Sequence, residues 1–303
     1  MKTKGGRDIL LTLGKLLQLM SDSLPTRIYS SKKELSFWRV LREGLGALRK
    51  SNFLALQLAK RDIKAQYRQS FLGLLWSLIL PLSTALVWVL LRSSNTVNLG
   101  EVNVNYVLFV FVGTLSWSIL TESILGPMNM VLSMRTTLSK INFPKEALIT
   151  SSVYKTGFNT LVKLIILLVL MLIYPVEMGG SMLFFPVSLF ALFLVGTAIG
   201  LFITPLGLLI GDVGKILTPL MQVLMYVSPV VFMTPKPEGF FGKLVYYNPL
   251  TPLISNFRNA LLGLPLEQMS YYLMTGIAAI IVFCLALVVF RITIPIITER
   301  IGG

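Results

Sequence analysis

Residues 178–210 read MGGSMLFFPVSLFALFLVGTAIGLFITPLGLLI, and no residue in this run is charged. A helix needs about 20 mostly apolar residues to cross the hydrocarbon core of a bilayer. The run is longer than one span needs and too short for two spans joined by a loop. We therefore predict one tilted or kinked transmembrane helix, with Pro186 near its start and Pro205 near its end.

Five other apolar runs extend this interpretation to the whole chain of 303 residues, of which 54% are apolar and 13% are charged. The mean hydropathy is +0.77, whereas about 25% of the residues in soluble domains are charged. We predict an all-α membrane protein with six transmembrane helices, at residues 71–91, 106–125, 148–174, 178–210, 216–235 and 269–290. Residues 244–257 are too few for a span and are interrupted by Pro249 and Pro252, so we predict a re-entrant external segment between helices five and six.

The charge distribution predicts the orientation of this fold. The chain has 27 Lys and Arg against 13 Asp and Glu, a net charge of +14. In the six-span arrangement, 21 of the basic residues fall on the side of both termini and four fall on the opposite side, while Lys155 and Lys163 lie within the third span. By the positive-inside rule, we expect a multi-pass protein of the cytoplasmic (inner) membrane with both termini in the cytoplasm. The basic excess then belongs to membrane loops and not to a nucleic-acid site.

The sequence offers little for covalent catalysis. It has no histidine, which is the commonest general base and a frequent metal ligand, and its single cysteine is Cys284. The nucleotide-binding pattern GxxxxGK[ST] is absent, because the pairs Gly14-Lys15, Gly214-Lys215 and Gly242-Lys243 all lack a glycine five positions earlier. We expect no catalytic residue, no metal site and no cofactor in this chain.

Two amphipathic segments precede the first span. Residues 1–51 are predicted to form a cytoplasmic leader, in which apolar residues at helical spacing between 9 and 20 favour a helix on the membrane surface over a signal peptide. Residues 52–70 are predicted to form an interfacial helix, because Phe53, Leu56 and Ile63 lie among basic residues. The six-span domain then covers 71–291, and residues 292–303 form a cytoplasmic tail.

Five stretches resemble, in the same order, the permeases of polysaccharide-export ABC transporters. They are LAKRDIKAQYRQSFLGLLWSLILPL (58–82), NYVLFVFVGTLSW (105–117), LSKINFPKEAL (138–148), TPLGLLIGDVGKILTPLMQVLMYVSPVVF (204–232) and YYNPLTPLISNFRNALLG (246–263). These permeases are membrane subunits of the type 2 ABC exporter superfamily that move O-antigen, capsule or teichoic acid chains. The resemblance implies a homodimer of this chain with two copies of a cytosolic ATPase, which bind the ATP and Mg²⁺, and a lipid-linked glycan as substrate.

The resemblance also implies which residues transmit the movement of the ATPase. The loop between spans two and three resembles a coupling helix, and the interfacial helix resembles one that contacts the ATPase as well. The residues assigned to coupling are Lys60, Arg61, Arg68, Arg135, Lys140, Phe143, Pro144, Lys145 and Asp212. Family members often carry an arginine directly before this aspartate, where the chain has Gly211. The alternative is a loop that only fixes topology and a basic helix that binds anionic lipid, at about 1 kcal/mol for each basic residue.

A hydrophilic glycan needs a conduit that does not hold it tightly, and aromatic rings offer flat faces to sugars. The residues predicted to line the pathway are Trp76, Trp88, Phe109, Phe111, Trp117, Lys163 and Tyr226. The alternative for the rings is packing in the core or in belts at the membrane interface. The predicted external gate consists of Tyr246, Tyr247, Asn248 and Arg258.

Lys163 is predicted to lie about halfway through the third span, where ionisable residues are costly and usually functional. It could contact the phosphate of a lipid-linked glycan or pair with a backbone carbonyl. Glu122 is expected near the inner surface, at the end of the second span. At about 1.5 Å per helical residue, about 20 Å would separate the two side chains, so we do not expect them to pair.

Three further points stay open at the level of sequence. The substrate could instead be a lipid or a drug moved by a type 2 permease. An integral-membrane transferase acting on lipid-linked sugars is less favoured, because such enzymes need acidic residues near the membrane and only Glu122 and Asp212 lie near the spans. The spacing of Gly196 and Gly200 favours close helix packing within the chain over a dimer seam.

Overall fold

An apolar segment can cross a membrane only if its backbone N–H and C=O groups are hydrogen-bonded internally, and a helix achieves this within one segment. The computed structural model describes residues 36–68, 76–94, 104–138, 140–141, 143–177 and 179–302, and all regular secondary structure in these ranges is helical. Four helices there are long and apolar enough to cross a membrane, at Tyr106–Ser133, Glu146–Ile173, Gly180–Leu209 and Met269–Ile297.

The helices are numbered here in chain order. They are α1 (Phe37–Lys50), α2 (Asn52–Arg68), α3 (Trp76–Ser93), α4 (Tyr106–Ser133), α5 (Arg135–Leu138), α6 (Glu146–Ile173), α7 (Phe185–Leu209), α8 (Gly211–Tyr226), α9 (Gly239–Tyr246), α10 (Thr251–Leu261) and α11 (Met269–Gly302). A 3₁₀ turn at Gly180–Phe184 leads into α7. Asn105 begins α4, where its side chain accepts a hydrogen bond from the Val107 N–H. Pro186 lies in the first turn of α7, where its missing N–H removes no helical bond.

Helices α4 and α7 form the centre of the bundle and approach each other closely. A Cβ atom at Gly200 of α7 would overlap the carbonyl oxygen of Ile124 in α4, and one at Gly196 would overlap the side chain of Ser123. Only glycine therefore fits at these positions, and the prediction that this pair serves packing within the chain is confirmed. Helix α7 also packs along α11, while α6 packs against α4 and α2.

Two apolar cores fill the bundle. The larger core contains side chains from the first two thirds of α4, from α7 and from α10, among them Phe109, Leu192 and Phe257. The smaller core joins α1 and α2 to the last turns of α4, the start of α6 and the last part of α11, with Leu148 and Leu287 among its members.

Polar contacts define two opposite ends of the bundle. At the α10 end, Tyr106 donates a hydrogen bond to the Val231 carbonyl at 3.1 Å. At the α1 end, Arg291 of α11 donates to Glu146 of α6 at 2.8 Å and to Glu43 of α1 at 3.1 Å. Helix α4 thus begins at the first of these ends, and α6 begins at the second.

The predicted spans differ from the observed helices mainly at their ends. The second predicted span stops at 125, but α4 continues for two more turns to Ser133. Helix α11 continues from Met269 to Gly302 and so includes residues of the predicted tail at 292–303, whose place in the cytoplasm stays a prediction. Arg291 lies within this helix and pairs with Glu43 and Glu146.

The first predicted span is described in part, and the fifth ends earlier than predicted. Helix α3 covers Trp76–Ser93, and residues 69–75 lie outside the described ranges. Helix α8 has 16 residues and ends at Tyr226, nine residues before the predicted end of the fifth span. The predicted helix at 9–20 also lies outside the described residues, and the count of six spans stays a prediction.

Candidate functional site

A cavity of about 990 Å³ opens between α3, α4 and α8. Three of the rings predicted to line the pathway meet there: Trp88 from α3, Trp117 from α4 and Tyr226 from α8. The ring centres of Trp88 and Tyr226 are 6.4 Å apart, and the Tyr226 side chain is 58% exposed. Helices α3 and α8 are thus two of the three helices around the cavity.

Polar residues on the same three helices also line the cavity. Ser118 and Glu122 of α4 line it, one helical turn apart. Glu122 accepts hydrogen bonds from Ser118 at 3.2 Å and from Asn159 at 2.9 Å, and it forms a salt bridge with Lys163. The Lys163 ammonium also donates to the Ser118 hydroxyl at 2.6 Å. We call these four residues of α4 and α6 the buried polar cluster.

The pairing of Lys163 with Glu122 contradicts the prediction that about 20 Å separates them. The prediction placed Glu122 at the end of its helix, but α4 extends eleven residues beyond it. Glu122 is therefore close to the middle of α4, at the depth of Lys163 in α6. The end of an uncharged run at Glu122 therefore does not mark the end of the helix. The residues after Glu122, up to Ser133, are neutral and continue α4.

Lys163 does not line the cavity. Its side chain is 1% exposed, whereas that of Glu122 is 30% exposed. The carboxylate thus faces the cavity, and the ammonium lies behind it. The direct contact with a substrate phosphate that the sequence left open for Lys163 would require the salt bridge to break.

Phe109 and Phe111 were also predicted to line the pathway, and the structure corrects this. Both rings are almost completely buried in the larger core. The Phe109 ring instead supports Arg258, whose guanidinium carbon lies 3.9 Å from the ring centre. Trp76 begins α3, but its side chain lies outside the part of the structure that is described.

The residues predicted as an external gate lie together at the α10 end. Arg258 of α10 is 1% exposed and donates to the carbonyls of Pro229 and Phe232 at 2.7 and 3.3 Å. Asn248 donates to the Val227 carbonyl at 3.0 Å. Both side chains thus fix residues 227–232, the turn that follows α8. Burial lowers the pKa of the Arg258 guanidinium to about 10, and Glu267 opposes this, so Arg258 stays a cation at neutral pH.

Tyr246 and Tyr247 line a smaller cavity of about 400 Å³ beside the start of α11. Their rings meet edge to face, with centres 5.3 Å apart. Tyr271 of α11 donates to the Tyr247 carbonyl at 2.6 Å. The gate residues therefore divide into two groups, one buried around Arg258 and one exposed around Tyr247.

The predicted coupling residues lie toward the α1 end, on several elements. Arg61 of α2 donates to the sulfur of Met134 at 2.9 Å, directly before α5. A short helix does form within the predicted coupling loop, at Arg135–Leu138. The coupling residues with exposed side chains are Lys60, Arg61, Arg68, Arg135, Lys140, Pro144 and Asp212, while Phe143 and Lys145 are partly buried. Asp212 is 77% exposed and pairs with Lys215 at 3.2 Å.

Sequence reasoning missed two features of the site. Asn159 and Ser118 were not singled out, although each lies four residues before a charged residue on its own helix and both bond to Glu122. Polar pairs at this spacing inside two apolar helices are the signal that could have found them. The contact of Arg291 with Glu43 and Glu146 was also missed, because its partners are more than 140 residues away.

The described residues contain no group of three or more His, Cys, Asp or Glu side chains that could hold a metal ion. The candidate site thus consists of an aromatic and polar cavity, a buried turn held by Arg258 and a basic surface toward the α1 end.

Known proteins resemble this chain over the same region. The model of the family described as ABC-2 type transporter matches residues 54–262. A protein of Myxococcus xanthus, named O-antigen export system permease protein RfbA, is 28% identical over 207 residues, which cover 68% of this chain and 78% of the relative. A Klebsiella pneumoniae protein of the same name is 22% identical over 233 residues, covering 76% and 88%. Because the family model matches well over half of the chain, the protein belongs to the ABC-2 type transporter family of membrane proteins.

Proposed function

We propose that this chain is the membrane-spanning permease subunit of an ABC exporter that moves a lipid-linked polysaccharide across the cytoplasmic membrane. One observation carries the proposal. This chain, whose relatives are named O-antigen export permeases, has a cavity lined by Trp88, Trp117 and Tyr226. Flat rings interspersed with hydroxyl, amide and carboxylate groups suit a hydrated sugar chain.

The chain acts in this proposal as a homodimer with two copies of a cytosolic ATPase. The ATPase binds ATP and Mg²⁺, and this chain holds no cofactor of its own and performs no covalent chemistry. The basic surface around α2 and α5 receives the ATPase. Arg61 supports this role, because its contact with Met134 joins α2 to the start of the coupling loop.

The orientation follows from the charges at the two ends. The α1 end faces the cytoplasm, since it carries most of the basic residues. The α10 end then faces outward, with α9 and α10 as the re-entrant segment. Six membrane crossings result if α3 and α8 also cross, with part of each crossing formed by the residues that flank the helix.

Co-purification tests the proposal. The chain is expressed with its cytosolic ATPase and extracted in mild detergent, and the subunit ratio and the rate of ATP hydrolysis are measured. We expect a 1:1 complex that hydrolyses ATP. Replacing Arg135, Lys140 and Lys145 with alanine together should separate the subunits or lower the rate at least tenfold. Replacing Lys236 and Lys243 with alanine, near the opposite end, is the matched control and should change neither.

A second measurement tests the substrate. Deleting the gene for this chain should remove long-chain polysaccharide from the cell surface and leave it inside, and restoring the chain should reverse this. A chain that forms no complex with an ATPase, or whose loss leaves the surface polysaccharide unchanged, would contradict the proposal.

A further inference from the structure

The large cavity carries a charge asymmetry that bears on which glycans it accepts. We infer that Glu122 makes the cavity selective for uncharged, hydroxyl-rich sugar segments over anionic ones such as uronates. The inference rests on the proposed function and adds a substrate class to it.

Glu122 is the only charged residue among the described residues that line the cavity. The polar groups beside it are the hydroxyls of residues such as Ser83, Thr84, Ser118 and Thr218, together with the Gln222 amide. Arg92 follows the lining residue Leu91 in sequence, but its guanidinium lies over the Tyr106 ring, 4.1 Å from the ring centre. An anionic ligand would therefore meet a carboxylate without a basic side chain in the lining.

The carboxylate has capacity left for a ligand. A carboxylate has about four acceptor positions. Oε1 of Glu122 accepts from Ser118 and Lys163, and Oε2 accepts from Asn159. One acceptor position on Oε2 remains, which suits a donor such as a sugar hydroxyl. The three internal bonds also hold the carboxylate in place, so a passing hydroxyl meets a preorganised acceptor.

Lys163 does not cancel this preference. Its ammonium is sealed behind the carboxylate and is bound to Glu122 and Ser118. The pair thus forms a dipole whose negative end points into the cavity. Apolar side chains such as Val87, Leu91 and Met225 also line the cavity and exclude part of the solvent, which strengthens the interaction of this dipole with a nearby charge relative to bulk water.

The test compares two sugar probes of equal length on the complex of this chain with its ATPase in lipid nanodiscs. The probes are maltoheptaose, which is neutral, and heptagalacturonate, which is anionic. Binding is followed by the change in tryptophan fluorescence, since Trp88 and Trp117 line the cavity. We expect maltoheptaose to bind about tenfold more tightly at low salt and the difference to shrink at high salt, where charges are screened.

The decisive variant removes both charges while preserving the shape of the pair. In the double variant E122Q/K163M the two probes should bind within about twofold of one another, while gel filtration confirms that the complex is intact. The single variant E177Q is the matched control, because Glu177 is exposed and does not line the cavity. It should keep the discrimination of the original chain.

The outcomes separate this inference from the proposed function. Equal binding of both probes, tighter binding of heptagalacturonate, or unchanged discrimination in the double variant would overturn the charge selectivity and leave glycan export standing. Binding of neither probe would overturn the selectivity as well. Loss of surface polysaccharide on deleting the chain would then still support the proposed function. If the surface polysaccharide persisted, both the proposed function and the charge selectivity would be overturned.

Discussion

The Glu122 carboxylate and the Lys163 ammonium form a salt bridge between two mostly apolar helices. Neither charge would be stable alone at this depth, because the cost of removing an ion from water far exceeds what one hydrogen bond returns. Ser118 and Asn159 complete the arrangement, because both donate hydrogen bonds to the Glu122 carboxylate. The cluster is therefore a unit whose members depend on each other.

Removing only one member should be more harmful than removing the pair. We expect Lys163→Met to destabilise the chain by about 3 kcal/mol, because it leaves the Glu122 carboxylate without its cation. Thermal unfolding in detergent, followed by fluorescence-detected gel filtration, measures this. The double variant E122Q/K163M should unfold at a temperature close to that of the original chain. A Lys163→Met chain as stable as Lys155→Met, which removes a partly exposed lysine, would contradict the expectation.

Arg258 joins three parts of the α10 end at once. Its guanidinium lies on the Phe109 ring of α4 and donates to two carbonyls in the turn after α8. We expect Arg258→Met to leave those carbonyls without a donor and to destabilise the chain by about 2 kcal/mol.

Arg258→Lys should recover only part of this loss, because an ammonium has neither the planar face nor the forked donors of a guanidinium. Thermal unfolding again provides the measurement. Lys243→Met, which removes an exposed cation of α9, is the control. Full recovery of stability by lysine would show that charge alone matters at this position.

At the scale of elements, the seam between α4 and α7 depends on glycine. We expect Gly200→Ala to destabilise the chain by about 3 kcal/mol or to prevent folding, since the new Cβ would overlap the Ile124 carbonyl oxygen. Gly157→Ala in α6 is the control, because a Cβ there meets no atom within 4 Å and alanine favours helix. The yield of folded protein and its thermal stability are compared. Equal behaviour of the two variants would mean that the helices can move apart without cost.

Helix α1 is attached to the bundle by a small set of contacts. Val40, Leu41 and Gly44 face the bundle, and Glu43 binds Arg291. We expect Arg291→Met to speed hydrogen exchange of the α1 amides several-fold, because Glu146 and Glu43 would lose their shared partner. Mass spectrometry of peptides covering 37–50 measures this. Lys215→Met, which breaks only the exposed pair with Asp212, should leave the exchange unchanged.

The sequence predicts the interior of these elements better than their ends. Long, mostly apolar runs identified α4, α6, α7 and α11, although Lys155 and Lys163 interrupt the run of α6, because a span needs about 20 mostly apolar residues. The ends were missed where the deciding contact is distant in sequence. Arg291 reads as the start of a polar tail until its partners, Glu43 and Glu146, are known. Lys163 reads as an isolated charge until the full length of α4 brings Glu122 to its depth.

Among the site residues, the aromatic pattern was an incomplete guide. Trp88, Trp117 and Tyr226 meet at the cavity, whereas Phe109 and Phe111 are buried. Residues 108–112 are all apolar, so their sequence gives no sign of which face points inward. The facing direction is set by tertiary packing, which local periodicity cannot report when a helix is buried on every side.

At the scale of the whole molecule, the charge asymmetry predicts which end is accessible from outside the cell. In a Cys284→Ala background, a cysteine introduced at exposed Lys236 should react with a membrane-impermeant maleimide in intact cells. A cysteine introduced at exposed Arg39 should react only after the cells are opened. Labelling is read as a shift on a denaturing gel. The reverse pattern would invert the proposed orientation, and reaction of both in intact cells would rule out opposite sides.

Helix α4 touches both ends of the bundle and the cavity between them. Its first turn bonds to Val231, its middle carries Glu122, and its last residue lies directly before α5. With 28 residues it is about 42 Å long. A displacement of α4 along its axis, applied at Ser133, would therefore be transmitted to the turn held by Arg258. Pro127 supplies a pivot along the helix, because it removes one rung of the hydrogen-bond ladder between Glu122 and Ser133.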